Sequence, residues 1–131
     1  MNKKYKILLV DDDKFLLDMY RKKFEQAGSE VDVAVGSQET LDKLRGGANP
    51  DVLILDVIMP NMDGLELLET IRNEKLIPEA SIIMLTNENG SDKIERAKKL
   101  GIKGYIVKAT SIPTEVVDKV WEIVGIKKQN V

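Results

Sequence analysis

Five short apolar runs, each followed by a segment of helical periodicity, constrain this chain more than any other feature of it. The runs are KILLV (6–10), EVDVAV (30–35), DVLILD (51–56), SIIMLT (81–86) and GYIVK (104–108). Continuously apolar stretches, such as ILLV (7–10) and IIML (82–85), suit strands covered on both faces. After the first run, Leu16, Leu17, Tyr20 and Phe24 recur at spacings of three and four, which predicts an amphipathic helix closed by Gly28. SQETLDKLRGG predicts a short helix capped by Ser37 and ended by Gly46 and Gly47. PNMDG then turns the chain into a helix with Leu65, Leu68 and Ile71 on one face. A fourth helix is expected to start near Ser91, and a fifth, from about Pro113, carries Val116, Val117, Val120, Ile123 and Val124. Five rounds of strand then helix call for a parallel sheet with helices on both faces. Right-handed crossovers leave few topologies, and an open doubly wound α/β sheet is the one expected at this length.

The 131 residues are one domain's worth, read as a single unit over 1–131 with a core from about 5 to 126 and a polar tail, 127–131. A net charge of −2 provides no basic footprint, so direct nucleic-acid binding is not expected. No apolar run approaches the roughly 20 residues that span a bilayer, and MNKKYK leads into too few apolar residues for a signal peptide. The expectation is a cytoplasmic protein without membrane association. The chain has no cysteine, which removes disulfides and thiol chemistry, and no histidine, which removes imidazole as base, nucleophile or ligand. A bound metal would therefore have to accept oxygen ligands, which favours magnesium, calcium or manganese over zinc.

Three adjacent carboxylates, Asp11, Asp12 and Asp13, follow the first apolar run. At about 4 Å and an effective dielectric near 20, each close pair of like charges costs on the order of 4 kcal/mol. Such crowding needs either water or a positive partner. In an open parallel sheet, ligands bind beyond the carboxyl ends of the strands. Asp11 and Asp12 follow the first strand, Asp56 ends the third, Thr86 the fourth and Lys108 the fifth, so positions far apart in sequence are expected on one edge. Taken singly, each has an ordinary reading. Asp13 suits a helix cap, threonine is at home in strands, and a lysine is most often solvated. Capping explains Asp11, Asp12 and Asp56 poorly.

VDDD, LILDVIMPNMDG, the MLT strand end and GYIVK together resemble the receiver domain of bacterial two-component response regulators, with the chemotaxis-type single-domain form nearest in length. The resemblance covers residues 5 to about 126. It implies a flavodoxin-like sheet in the order 2-1-3-4-5 with five helices. It implies that Asp56 accepts a phosphoryl group and that Asp11 and Asp12 hold a divalent cation, Mg2+ with Mn2+ or Ca2+ as substitutes. Asp56 and the backbone carbonyl of Ile58 would join the ligands. Thr86 and Lys108 would contact the phosphoryl oxygens, and Thr86 with Tyr105 would form the switch. The implied partners are a sensor histidine kinase or phosphotransfer protein and a downstream protein target. Weak self-association through the fourth helix, fifth strand and fifth helix is a further expectation. Lacking histidine, the chain suits the accepting side of such a transfer. The implied role is signalling, with at most slow self-phosphorylation from small donors and slow self-dephosphorylation.

One departure from the family pattern stands out, and one aromatic residue has two readings. Ala109 occupies the position where the family usually has a cis proline, and a cis bond before alanine costs roughly 2.5–4 kcal/mol, so a trans Lys108–Ala109 bond is expected. Trp121 lies just beside the apolar face of the last helix and is read as half-buried packing, with a partner surface shared with Tyr105 as the alternative. Two other functions compete with the phosphoacceptor. One is an interaction module of the same fold acting without phosphorylation. The other is a metal-dependent phosphohydrolase, which would want an acid two residues after Asp56, where the chain has Ile58.

Overall fold

Each apolar run becomes a strand of one parallel sheet. The computed structural model describes residues 4–57, 59, 61–87, 92–108 and 112–125. Its elements alternate strictly: β1 (Lys6–Asp11), α1 (Lys14–Gln26), β2 (Glu30–Val35), α2 (Gly36–Arg45), β3 (Val52–Asp56), α3 (Gly64–Asn73), β4 (Ser81–Thr86), α4 (Asp92–Lys99), β5 (Gly104–Val107) and α5 (Pro113–Val124). The strand order is β2-β1-β3-β4-β5, the doubly wound arrangement expected. The chain starts near the middle of the sheet and reverses direction between β1 and β3, which opens a crevice at the carboxyl ends of those two strands.

The period of two along each strand divides the core. Leu8, Val10, Leu53, Leu55, Ile82 and Met84 face α2 and α3, packing on Leu41, Leu44, Leu65, Leu68 and Ile71. Their neighbours Ile7, Leu9, Val52, Ile54, Ile83 and Leu85 face α1 and α5, packing on Leu17, Tyr20, Phe24, Val116 and Val120. Both faces are dry, which is why β1, β3 and β4 needed no polar alternation. Trp121 belongs to this second layer and is only 4% exposed. It meets Phe24 edge-on at 6.0 Å between ring centroids, and its ring lies 6.2 Å from that of Tyr5. It is a core residue, neither half-buried nor part of a docking surface.

Some local readings need correction. Ser37 does not cap α2: the cap position falls two residues earlier, at Val35, with no side-chain cap bond, and the helix starts at Gly36. The Ser37 hydroxyl instead donates to the carbonyl oxygen of Met62 at 2.6 Å. Strand β5 stops at Val107, so Lys108 lies just past it. Ser91, Ile58 and the Lys108–Ala109 bond lie outside the described residues. No helix among the described residues is long and apolar enough to cross a membrane.

The Ser29 hydroxyl, between α1 and β2, is buried and has no hydrogen-bond partner among the described residues. Leaving a hydroxyl dry and unpaired costs about 1–3 kcal/mol, so Ser29→Ala is expected to leave stability unchanged or raise it by about 1 kcal/mol. Urea unfolding measures this, and a loss above about 1 kcal/mol would reveal a bound water or another partner.

Candidate functional site

The sheet register alone brings four of the predicted residues to one edge. Val10 pairs with Leu55, so the next residue on each strand is an acid, Asp11 on β1 and Asp56 on β3. Asp56 pairs with Leu85, which places Thr86 one step beyond at the end of β4. Thr86 pairs with Val107, and Lys108 follows. The lysine then reaches back over the end of β4. Its Nζ lies 3.0 Å from Asp11 Oδ2 and 3.2 Å from Asp56 Oδ1. Oxygens of Asp11, Asp12 and Asp56 all fall within 4.8 Å of one another. Asp11, Asp56 and Thr86 are buried, whereas Asp12 is exposed at the rim.

The fourth acid of the cluster region has a different task. Asp13 caps α1, accepting the amides of Phe15 at 2.9 Å and Leu16 at 3.3 Å. Asp11 in turn accepts the amide of Asp13 at 3.1 Å, which fixes the turn between β1 and α1.

Burial sets the electrostatics. It pushes Asp56 up to about 6, with the nearby Lys108 pulling down and Asp11 pushing further up. Asp12 is also raised, first by its own desolvation and then by its hydrogen bond with Asp11. Burial alone would lower the Lys108 amine, but Asp56 and Asp11 together outweigh it and hold the amine above its ordinary value. With all three acids ionised, one lysine leaves an excess of two negative charges. That excess, presented as hard oxygen donors, fits a divalent cation of the magnesium type: Asp11, Asp12 and Asp56 would hold it.

The segment between Asp56 and α3 is pinned at both ends. Gly64 N–H donates to Val57 O at 2.8 Å. Asp63 caps α3 by accepting the Glu66 amide at 2.9 Å, and Lys93 of α4 pairs with it at 3.2 Å. Burial opposes ionisation of Asp63, but the Glu66 amide and Lys93 prevail and hold its carboxyl below the ordinary range. The roles of Asp63, Gly64, Lys93 and Ser37 escaped the reading from sequence. Only Asp63 left a signal there, an acid three residues before Glu66 at a helix start. Tyr105 is half-buried on β5, with Lys98 Nζ 5.6 Å from its ring centroid.

A doubly wound parallel sheet in the order β2-β1-β3-β4-β5, with an acid trio and a lysine gathered at the carboxyl ends of its strands, defines the class of open α/β domains with a charged crevice at the switch point. The response regulator receiver domain family model matches residues 7–120, and the chain belongs to that family. It is similar to chemotaxis protein CheY1 of Helicobacter pylori, 36% identical over 104 residues that make up 79% of this chain and 84% of that protein. Among solved structures it is similar to chemotaxis response regulator CheY4 of Vibrio cholerae, with a TM-score of 0.82 and 31% identity over 92% of this chain and 99% of that one. A CheY-like receiver domain protein from Methanospirillum hungatei gives a TM-score of 0.83 at 28% identity, covering 94% of this chain and 95% of that one. The protein is a CheY-like receiver domain of the response regulator type.

Proposed function

We propose that the chain, acting as one receiver unit over its whole length, accepts a phosphoryl group on Asp56 from a phosphohistidine of a sensor kinase or phosphotransfer protein. The observation that carries this reading is the Lys108 amine bridging Asp11 and Asp56 at 3.0 and 3.2 Å. It supports Asp56 as an acceptor because the lysine is already beside the oxygen where phosphate charge would arrive. In the transfer, an Asp56 oxygen forms a bond to phosphorus while the bond from phosphorus to the donor's imidazole nitrogen breaks, its electron pair leaving with the imidazole. The product is an acyl phosphate.

The chain's own groups divide the work. Asp11, Asp12 and Asp56, joined by the Ile58 carbonyl, would hold Mg2+, for which Mn2+ or Ca2+ would substitute, and the bound ion would supply charge neutralisation for the phosphoryl oxygens. Thr86, at the end of β4, donates its hydroxyl to one phosphoryl oxygen, and Lys108 pairs with another. Drawing Thr86 towards the phosphoryl group frees space on the side of Tyr105, which shifts the balance between two states of the surface made by α4, β5 and α5. A downstream protein, or a second copy held weakly, reads that surface. The chain turns over no substrate of its own beyond slow loss of the phosphoryl group to water.

Incubation with acetyl phosphate and Mg2+, followed by intact mass, tests the reading. The wild type is expected to gain the mass of one phosphoryl group and Asp56→Asn none. Omission of the cation is expected to abolish the gain. Lys108→Met is expected to slow it by roughly 100-fold, the range for loss of one charge-stabilising donor. A wild type that never gains the group, or an Asp56→Asn variant that does, overturns the proposal.

A further inference from the structure

The Ser37 hydroxyl has no part in the phosphoryl chemistry and does not cap its own helix, yet it is buried and committed to one acceptor, Met62 O, at 2.6 Å across 25 residues of sequence. Met62 sits in the loop that joins Asp56 to α3. Its neighbour Asn61 holds a φ of 69°, in the left-handed region, which asparagine adopts more readily than other residues with a Cβ but still at some cost. The contacts around the loop decide whether that conformation is kept. The bond from Ser37 supplies that determination from the α2 side, as Lys93 pairing with Asp63 does from the α4 side. Between α2 and the loop lies a cleft of about 750 Å3, lined among others by Asp12, Ser37, Leu41, Asn61, Met62 and Glu66. One wall of this cleft is therefore an acid of the trio, and the Ser37–Met62 bond ties the other two walls together.

We infer that Ser37 is a positioning residue for the cation and phosphoacceptor site, acting by holding the loop after Asp56 in its left-handed turn at Asn61. This rests on the reading of Asp11, Asp12 and Asp56 as the cation site. Removing the hydroxyl leaves the Met62 carbonyl without its donor and lets the turn at Asn61 relax into the cleft. Loss of an outer partner of a metal site costs about 10–100-fold in affinity. Ser37 acts one step further out, so a three- to tenfold loss is expected.

The test uses the full chain as wild type, Ser37→Ala and Ser37→Thr. Two readouts are taken: Mn2+ affinity by calorimetry, and amide hydrogen exchange over residues 57–66 in the metal-free protein. Ser37→Ala is expected to weaken Mn2+ binding three- to tenfold and speed exchange at the loop amides at least fivefold, with a cooperative thermal transition retained. Ser37→Thr, which keeps the hydroxyl, is expected to stay within twofold of wild type on both. Mn2+ affinity within twofold of wild type in Ser37→Ala overturns the inference. Equal weakening in both variants also overturns it, because the effect then belongs to packing. A wild type that does not bind Mn2+ removes the inference, whereas Mn2+ binding without phosphorylation by acetyl phosphate removes only the proposed function.

Discussion

Gly64→Ala is expected to destabilise the protein by about 3 kcal/mol, near the upper end for overpacking, and to lower its melting temperature by roughly 10 °C. The reason is close approach of two stretches of backbone. A Cβ built on Gly64 collides with the carbonyl oxygen of Asp56 and lies 3.0 Å from both the Asp56 carbonyl carbon and Val57 Cα. No side chain stands there to swing aside. The Gly64 amide also donates to Val57 O at 2.8 Å, so the first turn of α3 and the end of β3 are held together and must separate as a unit. Because the atoms displaced belong to the proposed phosphoacceptor, the variant should also lose at least tenfold in its rate of phosphorylation by acetyl phosphate. A misplacement of about 1 Å is enough for such losses. Circular-dichroism melting and intact mass measure the two effects, and a stability loss under about 1 kcal/mol would mean that α3 shifts freely relative to β3.

The second large effect has the opposite sign. Asp56→Asn, in metal-free buffer with a chelator, is expected to be more stable than wild type at pH 7.5 by on the order of 2–3 kcal/mol. Burial raises the folded-state Asp56 carboxyl to about 6 from an ordinary 3.8. The folded protein therefore holds this proton more tightly than the unfolded chain. Stability from this group is fully present below about pH 4 and is lost as pH rises through about 6, levelling off above that. Asparagine does not titrate, so the gap between variant and wild type should open between about pH 4 and 6 and vanish at the acid end. Added Mg2+ should narrow the gap, since a cation that binds only the folded state stabilises the wild type by mass action. Urea unfolding across this pH range provides the test; a gap that is absent at pH 7.5, or that grows as pH falls, would contradict it.

Most of the fold was legible because its signals are local. β2 and β4 were readable to the residue, and α5 starts about where expected, at Pro113, where proline suits the first helical position. The carboxyl-edge trio and Lys108 were legible for a different reason. Each ends or follows an apolar run, and a parallel sheet puts all such ends on one side. What was misread depends on contacts distant in sequence. Ser37 looks like a cap because serine before a helical run usually is one. Only the packing of α2 against the loop after Asp56 gives its hydroxyl a better acceptor. Trp121 falls at the margin of its helix's apolar stripe, and only the fit of Phe24 and Tyr5 around it shows the indole enclosed. Gly64 reads as a turn residue, yet its φ is not positive; the space it must leave for Asp56 is visible only once β3 and α3 meet.

The amino-acid order by itself determined the alternation of strands and helices, the side of the sheet on which the acids gather, and the exclusion of thiol and imidazole chemistry. Those properties follow from periodicity and residue type, which act over a few neighbours. Tertiary structure alone decided that one lysine lies between two buried acids, that a serine from α2 bonds the loop after Asp56, and that a glycine admits the Asp56 backbone. These are distances between residues 25 to 97 positions apart or between faces of packed elements, and only the closing of the core brings such groups within reach.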